Sequence, residues 1–144
     1  MSLPKNTLSR GFTLIEILVV IAIIGLLAGL TIANVGGMFG SSQTQIAHIF
    51  VTQSVKTPLL TYRLQMGDYP STEEGMQALF TAPAGKADRW RGPYVSSDTK
   101  FPMLDPWNEP YQYRYPGTHN HGGYDVWSKG PDKADGTDDD IGNW

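Results

Sequence analysis

From Phe12 to Ala33 the chain is almost unbroken apolar, with Glu16 its only charge. The run Leu14 to Ile32 is close to the roughly 20 residues that a membrane-spanning helix needs. A helix from Phe12 to Ala33 measures about 33 Å at 1.5 Å per residue. It satisfies its own backbone polar groups, as lipid requires. Lys5 and Arg10 precede the run, and no charged residue follows until Lys56. The positive-inside tendency puts the N-terminus in the cytoplasm and the remainder outside. A secretory signal peptide is the rival reading. It has a shorter apolar stretch followed by a small-residue cleavage site, and Ala28-Gly29 is a weak candidate for one. A plain membrane anchor is the simplest alternative.

After the apolar run the pattern changes. Val35 to Gly40 is glycine-rich, so helix is expected to be weak there. From Ser41 to Met66 the apolar residues Ile46, Ile49, Phe50, Leu60 and Leu64 roughly fit one helical face, expected to pack on a core; a helix continuous with the apolar run, giving a long stalk, also fits. Pro58 removes a hydrogen bond inside such a helix, which predicts a bend or break near Thr57. Gly67 to Pro70 reads as a turn. Ser71 and Glu74 have capping-box spacing. A short helix to about Phe80 then turns Met76, Leu79 and Phe80 inward. Thr81 to Lys100 reads as loop, with Trp90 and Tyr94 covering the core. Tyr111 to Tyr115 alternates aromatic and polar residues like a half-buried strand, and Tyr124 to Ser128 is a second strand. Two strands against a long helix predict a small α+β domain, since a hairpin alone is marginal.

Composition narrows the chemistry. The chain has 144 residues, no cysteine and a formal net charge of −3. Lacking Cys, it has neither a disulfide framework nor thiolate zinc sites. Beyond Ala33, nine Lys/Arg face thirteen Asp/Glu, a balance that repels nucleic acid. Five aspartates (Asp132, Asp135, Asp138, Asp139 and Asp140) fall within nine residues. Unpaired, they repel one another; calcium resolves this by taking six to eight hard oxygen ligands from carboxylates and carbonyls. A solvated acidic tail is the alternative, but Ile141 and Trp144 suggest that the chain end folds back onto a core. The spacing is not that of an EF-hand. His119-Asn120-His121 is more simply solvated than metal-bound. No nucleophile elbow, Walker motif or dinucleotide fingerprint is present.

Glu16 separates the readings of the N-terminal run. A carboxylate deep in a spanning helix costs about 3 kcal/mol, so it is usually paired. The nearest conceivable cation is an α-amino group released by cleavage just upstream. Arg10-Gly11-Phe12-Thr13-Leu14-Ile15-Glu16 resembles the prepilin leader junction of type IV pilins and type II secretion pseudopilins. Tyr69 to Thr72, Gly75 to Leu79, Asp105-Pro106-Trp107-Asn108, Tyr124-Asp125, Gly130-Pro131-Asp132 and Asp139-Asp140-Ile141 resemble the G-type major pseudopilin of type II secretion systems.

The resemblance implies a type IV pilin-like α+β fold. A long N-terminal helix, membrane-spanning then amphipathic, packs on a small antiparallel sheet with a C-terminal calcium loop. It implies a cytoplasmic leader, 1–11, removed by a prepilin peptidase between Gly11 and Phe12, with N-methylation of Phe12. Residues 12–34 would form the inner-membrane span and filament core, and 35–144 a periplasmic domain. Glu16 would neutralise a neighbour's terminal amine. Calcium would be held by Asp132, Asp139 and Asp140, with backbone oxygens around Lys129, Ala134 and Thr137. The implied function is structural rather than enzymatic: a homo-oligomeric pseudopilus that promotes export of folded proteins across the outer membrane. Its implied partners are minor pseudopilins, the membrane, an assembly platform and an ATPase. The alternatives are a type IV or competence pilin and a membrane-anchored hydrolase using paired aspartates; the acidic domain argues against DNA as a ligand. Two departures from the family pattern stand out. Ala33 replaces a usual proline, and the stretch from Asn34 to Val55 is uncharged.

Overall fold

The computed structural model describes residues 12–144, with the side chains of residues 30–39 outside the description. The leader and Gly11 therefore lie outside the described residues. Helix α1 spans Leu14–Ile49. The chain divides into two compact units, one reaching to Phe39 and the other running from Gly40 to Trp144.

In the first unit, Thr13 caps α1. Its hydroxyl accepts the Glu16 backbone N–H at 3.3 Å, and the Glu16 carboxylate accepts the Thr13 backbone N–H at 3.4 Å. This is a reciprocal capping box. Large apolar side chains from Phe12 to Leu27 are all exposed, Leu14 reaching 82%. Among the described residues no helix is long and apolar enough to cross a membrane; the expected span extends past Gly29, where the described side chains stop. The helix does not weaken over Val35 to Gly40 as its glycines suggest, for α1 runs through them. Each glycine costs about 1 kcal/mol in a helix interior, less than the cost of ending one helix and nucleating another.

In the second unit α1 gives way to a π-helical segment, Phe50–Ser54, and then to α2, Lys56–Met66. The Val55 N–H reaches back five residues to the Phe50 carbonyl at 3.1 Å. The interruption thus precedes Thr57 and places Pro58 in the first turn of α2. Helical N–H groups there have no intrahelical acceptor, so the proline's missing donor costs nothing. α2 ends at Gly67, in the left-handed conformation at φ 96°.

The face expected to be buried is not the one that is. Ile46, Ile49, Leu60 and Leu64 are exposed, and only Phe50 of that set packs on the core, stacked on Tyr111 at 3.9 Å. The inward stripe is Ala47, Val51, Val55, Leu59, Tyr62 and Met66. Its first three members are small, which lets the backbone approach the sheet closely.

The Ser71/Glu74 pair forms the expected reciprocal bonds, at 3.0 and 3.2 Å, ahead of a 3-10 turn at Gly75–Leu79. Met76 and Leu79 are buried and Phe80 packs beside them. Trp90 and Tyr94 cover the core from the following loop, and the Trp90 indole donates to the Ala78 carbonyl at 2.8 Å.

The sheet has three antiparallel strands in the order β1-β2-β3: β1 Gln112–Arg114, β2 Asp125–Ser128 and β3 Ile141–Gly142. Tyr113 pairs with Val126, and Ser128 with Ile141. The third strand is an addition to the expected pair. It makes β2 central, which is why all four of its residues are buried rather than alternating.

Candidate functional site

The acidic segment joins β2 to β3 and so closes a hairpin. Its two ends are fastened differently. At the start, Ser128 donates its hydroxyl to the Asp105 carboxylate and accepts the Gly130 N–H at 3.1 Å. Gly130 has φ 68°, and the Asp139 backbone carbonyl occupies the place where a Cβ would go. At the far end, Asn143 exchanges hydrogen bonds with the Val126 backbone: its N–H donates to the Val126 carbonyl at 3.1 Å, and its amide oxygen accepts the Val126 N–H at 3.0 Å.

Within the loop, Asp132, Ala134, Thr137 and Asp139 are brought together. The Asp132 carboxylate accepts the Ala134 N–H at 2.8 Å, and the Asp132 N–H donates to Asp139 at 3.2 Å. The Thr137 hydroxyl donates to the other Asp139 oxygen at 2.6 Å. That hydroxyl is the main reason the Asp139 carboxyl lies below the usual carboxylate range. Asp140 points to the Gly136 N–H at 2.8 Å through Oδ2, while its Oδ1 is buried and accepts no hydrogen bond from any described residue. Lys129 opens the loop beside Gly130. Asp135 is drawn outward to the Trp127 indole at 2.7 Å.

Among the described residues, no three His, Asp or Glu side chains form a ready-made metal cluster. The donors on offer are two hydrogen-bonded carboxylates, one orphaned carboxylate oxygen and the carbonyls of a tight loop. These are hard oxygens, the set that suits calcium rather than zinc. A buried carboxylate oxygen with no partner is costly, and a cation relieves it. His119 lies against the C-terminal residue. Its ring stacks on Trp144 at 3.8 Å, and Nδ1 lies 3.5 Å from Asp125.

Two carboxylates that the sequence reading gave no role prove to be structural hubs. Asp125 is 1% exposed and accepts the backbone N–H groups of Thr118, His119 and Asn120 at 2.6, 2.9 and 2.9 Å. Burial alone raises its pKa, but these bonds win and hold it at about 2. Asp105, also buried, accepts the Trp107 and Glu109 N–H groups at 3.0 and 2.9 Å besides the Ser128 hydroxyl. The available signal was each acid's position beside a turn of Gly, Pro and Asn.

A long helix opening on an exposed apolar stretch, with an amphipathic half packed on a small antiparallel sheet, defines a type IV pilin-like filament subunit. The family model for type II secretion system protein G matches residues 34–144, and that for the prokaryotic N-terminal methylation motif matches residues 6–32. Type II secretion system core protein G of Pectobacterium carotovorum subsp. carotovorum is 42% identical over 135 residues, spanning 94% of this chain and 84% of that protein. Its counterpart in Escherichia coli (strain K12) is 39% identical over 138 residues, spanning 94% and 90%. The crystal structure of the major pseudopilin from the type 2 secretion system of enterohaemorrhagic Escherichia coli superposes with a TM-score of 0.65. It is 32% identical, over 77% of this chain and 90% of that one. The chain belongs to the type II secretion system protein G family, structural subunits of the pseudopilus.

Proposed function

We propose that this chain polymerises through its N-terminal helix into a periplasmic filament that promotes export of folded proteins, and that calcium completes its C-terminal loop. The observation that carries the first part is the row of exposed apolar side chains from Phe12 to Leu27, interrupted by one carboxylate. Such a surface is stable only in lipid or against its own kind. The reading puts the subunit in the bacterial inner membrane, single-pass, with its C-terminal unit in the periplasm. A prepilin peptidase cleaves between Gly11 and Phe12, and Phe12 is N-methylated. Glu16 then leaves its local cap to meet a neighbour's terminal amine, since burying both charges as a pair is far cheaper than burying either alone. Minor pseudopilins, an inner-membrane platform and its ATPase are the expected partners. The role is structural, with no catalytic step.

Calcium supplies positive charge to a loop that otherwise gathers carboxylates. Asp132, Asp139 and Asp140 are the side chains that would hold it, with carbonyls around Lys129, Ala134 and Thr137. Support comes from the orphaned Asp140 oxygen and from the hydrogen bonds that already draw Asp132 to Asp139. The test is calorimetric titration and melting of the folded protein with calcium or chelator. Calcium at 100 times its dissociation constant stabilises by about 2.7 kcal/mol. Asp139→Ala should abolish that increment; a melting temperature indifferent to calcium in the unsubstituted protein would refute the calcium mechanism.

A further inference from the structure

The outward face of α2 joins exposed leucines to a cation that no acid answers. Lys56, Leu60, Arg63 and Leu64 stand at i, i+4, i+7 and i+8 of the helix, which puts them on one face. Leu60 is 43% exposed and Leu64 76%. Lys56 and Leu60 continue into an open groove shared with Thr52, Tyr69, Tyr124 and Asn143. Tyr69 sets its edge against Tyr124 at 4.9 Å, and the Arg63 guanidinium lies over the Tyr69 ring at 5.0 Å. Lys56 is the one charged residue among those lining the groove, and no acidic residue occurs between Glu16 and Asp68. Lys86 and Lys133 meet carboxylates of their own chain, Glu74 and Glu109. Lys56 meets none among the described residues. The acidic loop holds its counterpart. Asp132, Asp135, Asp139 and Asp140 each accept a hydrogen bond within the unit. Asp138 is exposed and has no hydrogen bond or ion pair among the described residues, and it is not one of the carboxylates assigned to calcium.

We infer that this groove receives the acidic loop of a second copy of the chain, with Asp138 facing Lys56; the inference rests on the filament reading above. Groove and loop both belong to the unit from Gly40 to Trp144, and within it they lie apart. Successive residues of a strand face opposite sides of the sheet. Val126 joins the core under the helices, so Trp127 faces the other way, and there its indole holds Asp135 of the loop. The sheet thus stands between the loop and α2. Their ends of the β2–β3 hairpin differ too. Tyr124 and Asn143 line the groove at one end, and the loop leaves from Ser128 at the other. A chain therefore does not fill its own groove, and the loop that enters comes from another molecule. Beyond Ala33 nine Lys/Arg stand against thirteen Asp/Glu, so two copies repel unless opposite charges are aligned locally. Alignment of that kind fixes register and excludes wrong pairings. Groove and loop are different surfaces, so each copy gives one and receives one, and the arrangement propagates.

Charge reversal tests the pairing in full-length chains expressed in cells that assemble the filament. Lys56→Glu should cut filament yield about tenfold, because like charges then meet at the contact. Adding Asp138→Lys to the same chain should restore the yield to within about twofold, the signature of two coupled positions. Both side chains are exposed, so the melting temperatures of the variants should match that of the unsubstituted protein. An unchanged yield for Lys56→Glu, or a double variant as poor as the single one, overturns the inference. The contact itself is read by cross-linking, since the chain has no native cysteine. Two differently tagged populations carry Leu60→Cys and Asp138→Cys, and sheared filaments are oxidised. Mixed-tag dimers in excess of either self-dimer are expected. Self-dimers alone would show groove meeting groove or loop meeting loop and overturn the inference. Capture of Leu60→Cys by a different protein would overturn it equally. Failure of the unsubstituted chain to form filaments would sink the proposed function along with the inference, whereas good filaments with no rescue and no mixed dimers would sink the inference alone.

Discussion

At the scale of single residues, two buried carboxylates, Asp105 and Asp125, tie together turns of the C-terminal unit. Asp125 shows this most clearly. Its folded pKa of about 2 lies below the ordinary carboxylate value. A depressed pKa contributes stability that is present above the unfolded value near 4 and is lost as pH falls toward the folded value. The shift corresponds to about 2 kcal/mol, so unfolding free energy should drop by that order between about pH 4 and pH 2. Asp125→Ala removes the acceptor of three backbone N–H groups and should cost about 3 kcal/mol or more at neutral pH. Chemical denaturation of both proteins across that pH range measures the two effects. A variant whose acid sensitivity matched that of the unsubstituted protein would remove Asp125 from this role.

At the scale of elements, the caps and short inward turns were legible in the sequence, whereas the glycines of Val35 to Gly40 do not interrupt α1 and the buried face of the helix was not legible. The Ser71/Glu74 box, the inward Met76 and Leu79, and the covering Trp90 and Tyr94 depend on neighbours a few residues away. The buried helix face depends on which side the sheet approaches, and no spacing in Ser41 to Met66 carries that. Large Ile and Leu side chains drew the reading to the wrong stripe, while Ala47, Val51 and Val55 supplied the real one. Strand β3 is only Ile141–Gly142, too short for any periodicity, though Ile141 hinted at the return of the chain. In the loop, the aspartates were legible but the separate direction of Asp140 was not. Pro58 offers a test at this scale. In the first turn of α2 its ring fits the local backbone, so Pro58→Ala should lower stability by about 0.5 kcal/mol through the unfolded state. A proline in mid-helix would behave oppositely, its removal raising stability by about 3 kcal/mol. Thermal melting of the two proteins distinguishes the outcomes.

At the scale of the whole molecule, Glu16 is the residue on which the proposed assembly turns. In the single chain it completes the cap of α1 with Thr13; in the proposed filament its charge would meet a neighbour's amine. Glu16→Gln separates these tasks, because glutamine also serves in a capping box. Helix content by circular dichroism should be unchanged while filament yield falls sharply. A normal yield of filaments would show that charge pairing is not what sets the register.

In sequence the acidic loop is flanked by two indoles, Trp127 and Trp144. Trp127, 8% exposed, donates to Asp135, and the Arg114 guanidinium lies over its ring at 5.5 Å. Trp144 stands 6.1 Å from that ring and stacks on His119. A rearrangement that draws Asp135 away changes the surroundings of Trp127, and one that shifts the chain end changes those of Trp144. Two of the chain's four indoles thus report on the loop, and replacing Trp90 and Trp107 by Phe would leave a fluorescence gauge of it readable without a label.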